Sequence, residues 1–485
     1  MKILLYALLC IVALFAVLLL IAVIRTLLIK NKKCDKKSAI EFTPEEERLY
    51  AEKLSEMVKV PTVSAQPGET DLKRFEDFQA VLRKNFPRIF ETAEVKDIDS
   101  NLLLKIKGKD SSKNGILFMG HQDVVPAPDD GTWKYPPFSG EIAEGRVNGR
   151  GAMDCKSTLC AEWQALEELL GEGFVPERDL YLACSVNEEN SGDGATRTAE
   201  WLKENGIRLA FVMDEGGAVV NGFMPGMSTW VAAAGVVEKG TAHIKFTAKG
   251  KGGHSSTPVK GTPIARLSAF VSEIEKKNPF RKEFIPIVTL MFSRLAPYLS
   301  FPFRLLLGNL WLFKPLVGFA VPLVSPMANA FLRTTIVFTM SGGSQAPNVI
   351  PGEAYVVANI RPSVQQNLEE CIEILRKIAD KYDLETELVL GHSASRITDP
   401  DSDEMKYIEK CVNECYPEYC FTPYYMAGGT DCRKYESVSD NCIRFCPMKI
   451  YPDQMAAMHA SNESINTDAL AEGVKVYKHI MKNYK

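Results

Sequence analysis

Residues 115–123 read GILFMGHQD, an apolar run that ends in a histidine and an aspartate. A short run of this kind is typical of a strand that is buried on both faces. Two later runs have the same form: residues 179–189 end in a pair of glutamates, and residues 209–214 end in an aspartate. Helical patterns at 157–170 and 196–204 lie between them. This alternation predicts an α/β catalytic domain with a mixed, largely parallel sheet flanked by helices.

Polar side chains stand where these three runs end. Because ligands of open α/β sheets gather at the carboxyl ends of strands, we expect these side chains to lie together. Asp154 adds an acid among glycines, and His459 adds an imidazole near the chain end. Mixed histidine and carboxylate sets suit a catalytic zinc site, although each residue alone is typical of a turn or cap. The candidates at the strand ends are His121, Asp123, Glu188, Glu189 and Asp214.

The pattern of the chain changes after residue 238. Residues 241–250 alternate like an antiparallel strand with one exposed face, and a helical pattern follows near 263–277. We therefore expect an inserted α+β domain within a catalytic domain that resumes afterwards. The predicted division into anchor with basic linker, first catalytic part, insert and second catalytic part is 1–37, 38–238, 239–360 and 361–485.

An uncharged apolar run covers residues 3–24. It is long enough to cross the roughly 30 Å hydrocarbon layer, and no small-residue cleavage site follows, which favours an N-terminal transmembrane helix over a cleaved signal peptide. Arg25, Lys30 and the lysines at 32, 33, 36 and 37 follow the run, and this bias predicts a cytoplasmic catalytic domain. The similar proteins named below mostly place that domain outside the cytosol, so the side of the membrane stays open. The globular part begins with TPEE at 43–46, a typical helix N-cap.

The overall composition narrows the class of protein. A net charge of −4 provides no basic field, so we expect no nucleic-acid partner. The 12 cysteines form no CxxC pair, which argues against a structural zinc ribbon and favours free thiols. An apolar share of 46% and a charged share of 24% are ordinary for a folded enzyme or binding protein.

One stretch of the predicted insert, residues 284–331, is unusually apolar. Prolines and Arg304 interrupt it, so it makes a poor membrane-spanning helix. Two interpretations stay open. The stretch forms additional core or a dimer surface, or it forms an apolar lid or a patch that faces a bilayer.

Three segments resemble signatures of the zinc amidohydrolases that include aminoacylases, carboxypeptidase G, peptidase V and succinyl-diaminopimelate desuccinylase. They are GHQDVVP at 120–126, GRGAMDCK at 149–156 and NEENSG at 187–192. The resemblance is specific because separate motifs recur in the right order, and it covers nearly the whole chain after the anchor. It implies that the insert acts as a lid or dimerisation domain and that the protein is a homodimer, unless the apolar stretch shields that surface.

The resemblance also implies a set of metal ligands. Asp154 would bridge two zinc ions, with His121 and Asp214 completing one site and Glu189 and His459 the other. The family's last ligand usually stands in a His-Gly-x-Asn-Glu context, and here residues 459–463 read HASNE. Alanine for glycine is a small change, so His459 is kept as a ligand. Cobalt or manganese would fit the same donors.

Two acidic residues acquire catalytic roles from the same resemblance. Glu188 would act as general base and acid, and Asp123 would orient the imidazole of His121. Neighbouring residues of an extended chain point in opposite directions. Glu188 and Glu189 can therefore serve different partners, one facing the water and one holding metal.

Other segments resemble the family's substrate elements. Residues 252–258 read GGHSSTP, like the lid-domain histidine motif, in which His254 would stabilise the oxyanion from the lid or from a partner subunit. A structural turn is the alternative for His254, and a surface salt bridge is the alternative for Arg361. The residues that would bind a free substrate carboxylate are Asn348, Arg361, Gly429 and Thr430.

The anchor, the apolar stretch and NLWLF at 309–313 resemble one branch of the family most. That branch contains carboxypeptidase S and a secreted enzyme that makes and cleaves N-fatty-acyl amino acids. It implies hydrolysis of a peptide or amide bond in a substrate with a free amino-acid carboxylate, as in a carboxypeptidase or dipeptidase. An N-acyl or N-fatty-acyl amino-acid hydrolase or synthase is the alternative. A non-catalytic binding protein is a remote third, since Glu188 and every ligand are present.

Overall fold

A computed structural model describes residues 2–485 apart from 33–37, 65–71, 129, 225–226, 228 and 325. Three lysines of the predicted basic linker, at 33, 36 and 37, therefore lie outside the described residues. The strands in chain order are β1 (Glu94–Ile98), β2 (Asn101–Ile106), β3 (Gly115–His121), β4 (Glu141–Ala143), β5 (Arg146–Asn148), β6 (Leu180–Ser185), β7 (Leu209–Asp214), β8 (Val219–Val220), β9 (Val231–Glu238), β10 (Thr241–Lys249), β11 (Gly253–His254), β12 (Thr335–Gly342), β13 (Val349–Ile350), β14 (Glu353–Arg361), β15 (Leu384–His392), β16 (Cys420–Met426), β17 (Cys442–Arg444), β18 (Lys449–Ile450) and β19 (Ser464–Asn466).

The α-helices differ widely in length, from the long N-terminal helix α1 to short helices of two turns or fewer. They are α1 (Lys2–Leu28), α2 (Pro44–Val58), α3 (Leu72–Asn85), α4 (Pro87–Thr92), α5 (Lys156–Gly171), α6 (Gly194–Glu204), α7 (Pro263–Lys276), α8 (Pro286–Leu295), α9 (Phe301–Leu307), α10 (Leu310–Val324), α11 (Pro326–Leu332), α12 (Leu368–Ala379), α13 (Asp403–Cys415), α14 (Pro452–Ala457) and α15 (Thr467–Asn483).

The larger sheet has ten strands in the order β1-β2-β6-β3-β7-β17-β9-β8-β18, with β16 paired to β9. Its central strands β6, β3, β7 and β17 run parallel to one another. The pairs β1–β2, β2–β6 and β8–β9 are antiparallel. The pairs β9–β16 and β8–β18 are parallel as well. The predicted mixed α/β sheet is confirmed, and β3, β6 and β7 are buried along their whole length.

Helices cover both faces of this sheet. Phe118 points to the face that packs against α2, α5 and α15, whereas Leu117 points to the face that packs against α6. The alternation follows from the two-residue period of a strand. The predicted N-cap of α2 is also present: Thr43 Oγ1 accepts the N–H of Glu46 at 3.2 Å, and Glu46 Oε2 accepts the N–H of Thr43 at 2.8 Å. The described cysteines carry free thiols.

A second sheet contains four antiparallel strands in the order β12-β14-β10-β15. Helices α7 and α12 pack on it around buried side chains such as Phe246, Phe270 and Leu375. Because β15 pairs directly with β10, this layer continues to His392, which is later than the predicted boundary at residue 360. The division into lid and catalytic domains stays a prediction, with its second boundary moved to about that residue.

Two apolar helical segments meet at the edge of the molecule. Helix α1 reaches a mean hydropathy of 3.4 and is long and apolar enough to cross a membrane, a test that a signal sequence also passes. Helices α8 to α11, residues 286–332, form what is called here the helical insert. Within it, α9 and the first part of α10 meet at 106°.

Candidate metal centre

The three predicted strand ends open on one edge of the larger sheet. β3 ends at His121 and β7 ends at Asp214, while Glu188 and Glu189 lie in the loop that follows β6. Since β3 lies between β6 and β7 and runs parallel to both, the polar residues after these strands gather at one place. Asp154 reaches the same place from the turn before α5, where its peptide bond to the next residue is cis.

The carboxylate of Asp154 contacts two separate groups of side chains, one with each oxygen. Oδ1 lies 3.2 Å from His121 Nε2, and Oδ2 lies 3.0 Å from His459 Nε2. A glutamate joins each group: Glu215 Oε1 lies 3.5 Å from His121 Nε2, and Glu189 Oε2 lies 3.2 Å from His459 Nε2. The ligand atoms of each group lie within 4.8 Å of one another. Asp154 thus belongs to two sets of potential metal ligands, one with His121, Glu215 and the neighbouring thiol of Cys155, and one with Glu189 and His459.

These donor atoms fit divalent metal ions with the geometry of zinc. Zinc bonds of about 2.0–2.2 Å in tetrahedral geometry separate neighbouring ligand atoms by roughly 3.3–3.5 Å. The contacts made by Asp154, Glu189 and Glu215 with the two imidazoles are 3.0–3.5 Å. In addition, Glu189 Oε1 and Asp214 Oδ2 are buried without a hydrogen-bond partner among the described residues. Buried carboxylate oxygens are costly unless a donor or cation satisfies them, so this centre suits cations.

The centre concentrates negative charge in a buried place. Burial raises the pKa of Glu188 well above its usual range, and neighbouring carboxylates add to the effect. Burial and Asp154 raise the pKa of Glu215 to about 7, and burial raises the pKa of Asp431 to about 6. For Asp154 itself, burial is outweighed by hydrogen bonds from the two imidazoles, which hold its pKa well below the usual range. Bound cations would relieve the repulsion among these carboxylates.

Asp123 fixes the loop that carries the two glutamates. Its Oδ1 and Oδ2 accept the backbone N–H groups of Glu188 and Glu189, each at 3.1 Å, and Ser64 Oγ donates to Oδ2 at 2.5 Å. The main-chain oxygen of Asp123 lies 2.9 Å from His121 Nδ1, closer than its carboxylate at 3.4 Å. The predicted orientation of the imidazole therefore involves mainly the backbone of Asp123, while its side chain positions the glutamates.

The geometry favours Glu215 over the predicted ligand Asp214. Asp214 is the last residue of β7, its Oδ1 accepts the N–H of Glu215 at 2.9 Å, and it belongs to neither ligand group found among the described residues. Glu215 instead approaches the imidazole of His121. Successive side chains of an extended segment point in different directions, so Glu215 reaches the imidazole of His121, while Asp214 Oδ2 is buried without a hydrogen-bond partner among the described residues. The sequence signal was the acidic pair itself, which does not reveal which member turns inward.

Glu463 has no predicted role, yet it holds the Asp154 turn in place. It is fully buried, and its Oε1 accepts the N–H groups of Gly151, Met153 and Asp154 at 2.9, 2.9 and 3.0 Å. Its Oε2 accepts a hydrogen bond from Arg150 at 2.5 Å. The three N–H groups that Glu463 accepts lie more than 300 residues away along the chain, so no local pattern predicts these contacts. The only sequence signal for a role of Glu463 is its place four residues after His459.

Two predicted substrate residues lie in the loop after β16. Glu238 Oε2 accepts the N–H of Thr430 at 2.7 Å, and a side chain at Gly429 would come within 3.1 Å of the same oxygen. Glu238 is fixed in turn by the buried Arg444, whose Nε donates to Oε1 at 2.9 Å. Arg361 stands at the end of β14 in the second sheet and donates to Thr241 Oγ1 at 2.7 Å.

His254 and Asn348 lie together on the smaller layer. His254 is in β11, which pairs with β13, and the main-chain oxygen of Asn348 accepts the N–H of Ser255 at 3.1 Å. His254 Nδ1 lies 2.8 Å from Ser256 Oγ, and both predicted residues are exposed. Within the described part of the chain, no hydrogen bond or ion pair joins either residue to the carboxylate cluster. Their predicted contribution therefore needs a closing movement or a partner subunit.

Comparisons with known proteins match nearly the whole chain. The family model described as "Peptidase family M20/M25/M40" matches residues 117–483. The N-fatty-acyl-amino acid synthase/hydrolase PM20D1 of Homo sapiens is 32% identical over 98% of this chain and 96% of the human protein. Carboxypeptidase S of Saccharomyces cerevisiae is 29% identical over 89% of this chain and 83% of the yeast protein.

Solved structures share the fold. The M20 family metallo-carboxypeptidase Sso-CP2 of Sulfolobus solfataricus has a TM-score of 0.67 at 20% identity, over 89% of this chain and 98% of that protein. Human carnosine dipeptidase 1 has a TM-score of 0.64 at 15% identity, over 90% of this chain and 97% of that protein. Both alignments extend over the larger part of the described chain, so the arrangement of sheets and helices is one that these hydrolases also have.

Glu215→Gln should weaken zinc binding much more than Asp214→Asn. A lost ligand should exceed the roughly 10–100-fold loss that is typical of an outer-shell partner, whereas Asp214→Asn should stay within that range. Competition with a chelator of known zinc affinity measures both effects, with Glu200→Gln on the exposed face of α6 as control. A larger loss for Asp214→Asn would return Asp214 to the ligand set.

Proposed function

Because the chain belongs to peptidase family M20/M25/M40 and is a metal-dependent hydrolase of that family, we propose that it uses two zinc ions to cleave an amide bond. The substrate would carry a free amino-acid carboxylate, as in a carboxypeptidase or dipeptidase. The observation that carries this proposal is the Asp154 carboxylate, which faces a different imidazole with each oxygen. Each set supplies three histidine and carboxylate donors, while the thiol of Cys155 in the first set contacts the backbone of His121. Catalytic zinc sites typically have three protein ligands and leave a fourth position for water or substrate.

The proposed ligands follow from the two sets. His121, Asp154 and Glu215 would hold one ion, and Asp154, Glu189 and His459 would hold the other. Cobalt or manganese would fit the same donors. When bound, the ions would supply Lewis-acid activation of a water and of the scissile carbonyl.

Glu188 is the proposed proton carrier. It belongs to neither ligand set, its backbone is held by Asp123, and its side chain lies among the carboxylates of Asp431 and Glu215. Burial among these groups raises the pKa of Glu188, so its carboxyl holds a proton more readily than an exposed glutamate. Glu188 would take a proton from the attacking water and deliver it to the leaving nitrogen.

The free carboxylate of the substrate would be bound by residues of both layers. Arg361 is partly buried and keeps its charge, and its planar guanidinium suits a two-pronged grip on a carboxylate. The loop at Gly429 and Thr430 is rigid because Glu238 holds its backbone. Asn348 would contribute from the smaller layer, and His254 would stabilise the oxyanion from the same hairpin. We propose that this layer acts as a lid or as the dimerisation domain that supplies these two residues.

The helical insert favours a second candidate, the hydrolysis or synthesis of N-fatty-acyl amino acids. The human relative is named for that activity, and it aligns with 98% of this chain. The insert presents exposed apolar side chains, among them Trp311 and Phe319, that a simple dipeptidase does not need. A long acyl group would give such a surface a use, because burying each methylene stabilises binding by about 0.8 kcal/mol.

We also propose that α1 is a retained single-pass membrane anchor. Ala22 and Thr26, in the last turns of α1, are fully buried against the helical insert. A cleaved signal peptide would expose that part of the insert. These contacts do not depend on which side of the membrane the two sheets lie.

Glu188→Gln should lower kcat by about 10²–10⁴-fold, the usual contribution of general acid–base catalysis, and leave zinc content unchanged. Steady-state hydrolysis of an N-acyl amino acid measures kcat, and mass spectrometry measures the zinc content. Glu200→Gln is the matched control on an exposed helix face. Activity within about threefold of the parent would remove Glu188 from the proton-carrying role.

Arg361→Ala should reduce kcat/KM for an N-acyl amino acid by about 10–100-fold, because hydrogen bonds to charged groups contribute about 1.5–3 kcal/mol. The corresponding amino-acid amide, which lacks the carboxylate, should be cleaved equally by parent and variant. Arg361→Lys should recover part of the loss, since it keeps a charge without the two-pronged geometry. Equal losses on acid and amide would assign Arg361 to support of Thr241 instead.

Lengthening the acyl chain from acetyl to palmitoyl separates the two candidate functions. An acyl-binding enzyme should gain about threefold to fourfold in kcat/KM per buried methylene until the site is filled, from about 0.8 kcal/mol each. A dipeptide panel run beside the series supplies the comparison. If acetyl and long-chain substrates are cleaved equally and dipeptides better, the fatty-acyl candidate fails and the peptidase proposal stands.

A further inference from the structure

The end of helix α1 is fixed to the helical insert by buried polar contacts. Asn309 is fully buried, and its Nδ2 donates to Thr26 Oγ1 at 2.9 Å and to the main-chain oxygen of Ala22 at 3.3 Å. Arg304 donates to the main-chain oxygen of Ile29 at 3.4 Å. A buried amide is costly without its partners, so these contacts specify how α1 meets the insert. The last turns of α1 and the start of α10 are therefore neighbours in the fold.

Beyond this contact, the insert presents large apolar side chains to the outside. Their exposed fractions are 39–72%, whereas large aromatic and aliphatic side chains of soluble proteins are mostly buried. Exposed apolar surface on consecutive helices marks an interaction site. The side chains on α9, α10 and α11 are Phe301, Phe303, Trp311, Leu316, Phe319, Leu323 and Met327.

The charge of the insert fits a lipid surface. Residues 286–332 contain no aspartate or glutamate and three basic residues. Arg294 is paired with Glu409 at 2.6 Å and Arg304 is buried, which leaves Lys314 exposed on α10. A lysine beside apolar side chains suits the membrane boundary, because its stem lies along the apolar phase while its ammonium reaches the headgroups.

Neither α9 nor α10 is long enough by itself to cross a bilayer, and the two helices pass the length and hydropathy test only as one bent pair. α10 has 15 residues, or about 22 Å of helix, which is shorter than the roughly 30 Å hydrocarbon layer. It also contains Pro315 and Pro322, and it meets α9 at 106°. A short apolar helix with exposed aromatic and aliphatic side chains can lie at the headgroup boundary and bury those side chains there.

We propose that the helical insert is a membrane-docking surface, which seats the hydrolase on the bilayer that α1 crosses. The proposal rests on α1 being a retained anchor. Because the end of α1 is hydrogen-bonded to Asn309, in the turn between α9 and α10, the exposed side chains of the insert would lie where α1 leaves the hydrocarbon layer. This continuity with the anchor favours the bilayer over a second copy of the chain as the occupant.

The insert also connects this surface to the substrate site. Lys239 Nζ donates to the main-chain oxygen of Arg333, the residue after α11, at 2.7 Å. The neighbouring Glu238 accepts the N–H of Thr430 in the proposed carboxylate loop. Docking of the insert would thus hold the proposed carboxylate loop close to the bilayer, where long acyl chains partition.

Quenching of tryptophan fluorescence by brominated lipid acyl chains tests the proposal on the full-length protein in phosphatidylcholine vesicles. The chain has five tryptophans, and Trp311 is the one on the exposed face of the insert. Brominated lipid should quench the parent, and Trp311→Phe should lose most of that quenched component. Trp201→Phe, on α6, is the matched control and should keep it.

Trp311→Phe also removes the hydrogen bond that Trp311 Nε1 donates to Asn309 Oδ1 and could therefore change the contact with α1. A second variant that keeps Trp311 controls for this effect. Leu316→Lys combined with Leu323→Lys, both at exposed positions of α10, should at least halve the quenching of Trp311, while hydrolysis of a soluble N-acetyl substrate stays unchanged. Equal quenching in parent and Trp311→Phe would overturn the proposal. So would an unquenched Trp311 in vesicle-bound protein, particularly if the lysine variant dissociates a dimer, which would assign the surface to a second copy. Protein that does not float with the vesicles would overturn the anchor as well.

Discussion

The carboxylate of Asp154 contacts two imidazoles, His121 and His459, that are more than 300 residues apart in the chain. The fold has to bring these three side chains together. His121 is the last residue of the central parallel strand β3, and His459 lies in the turn between α14 and β19. Glu463 secures the turn of Asp154 through three backbone N–H groups, and Asp123 secures the facing loop of Glu188 through two more. Without the parallel centre of the sheet, these segments would not open on one edge.

Such a centre is unstable by itself, because burial and mutual repulsion raise the pKa of several carboxylates in it. Bound cations would neutralise these carboxylates. The same cations would activate a water molecule and polarise the carbonyl group of an amide bond. The centre does not distinguish a peptide from an N-acyl amino acid, which is consistent with relatives named for either activity. We propose that the choice of substrate depends on the loop at Gly429 and Thr430 and on the helical insert, outside the metal-binding residues.

Much of this arrangement could be predicted from sequence because its signals are local. The buried strands β3, β6 and β7 were visible as apolar runs, and the start of α2 as an N-cap followed by proline. Motifs in the right order indicated the family, and the family match confirms that resemblance. What could not be predicted depends on distant or directional contacts. The pair Asp214 and Glu215 gave no sign of which carboxylate turns inward, β15 joins the second sheet through pairing with β10, and Glu463 acts on a turn 309 residues away.

X-ray absorption at the zinc edge, made on full-length protein whose zinc content has been measured, shows whether Asp154 joins two metal sites. If Asp154 joins two metal sites, the protein will contain two zinc ions per chain, nitrogen and oxygen ligands at about 2.0–2.2 Å, and a metal neighbour at about 3.5–4 Å. One zinc ion per chain with no metal neighbour would contradict the account. It would mean that only one of the two histidine groups around Asp154 binds metal.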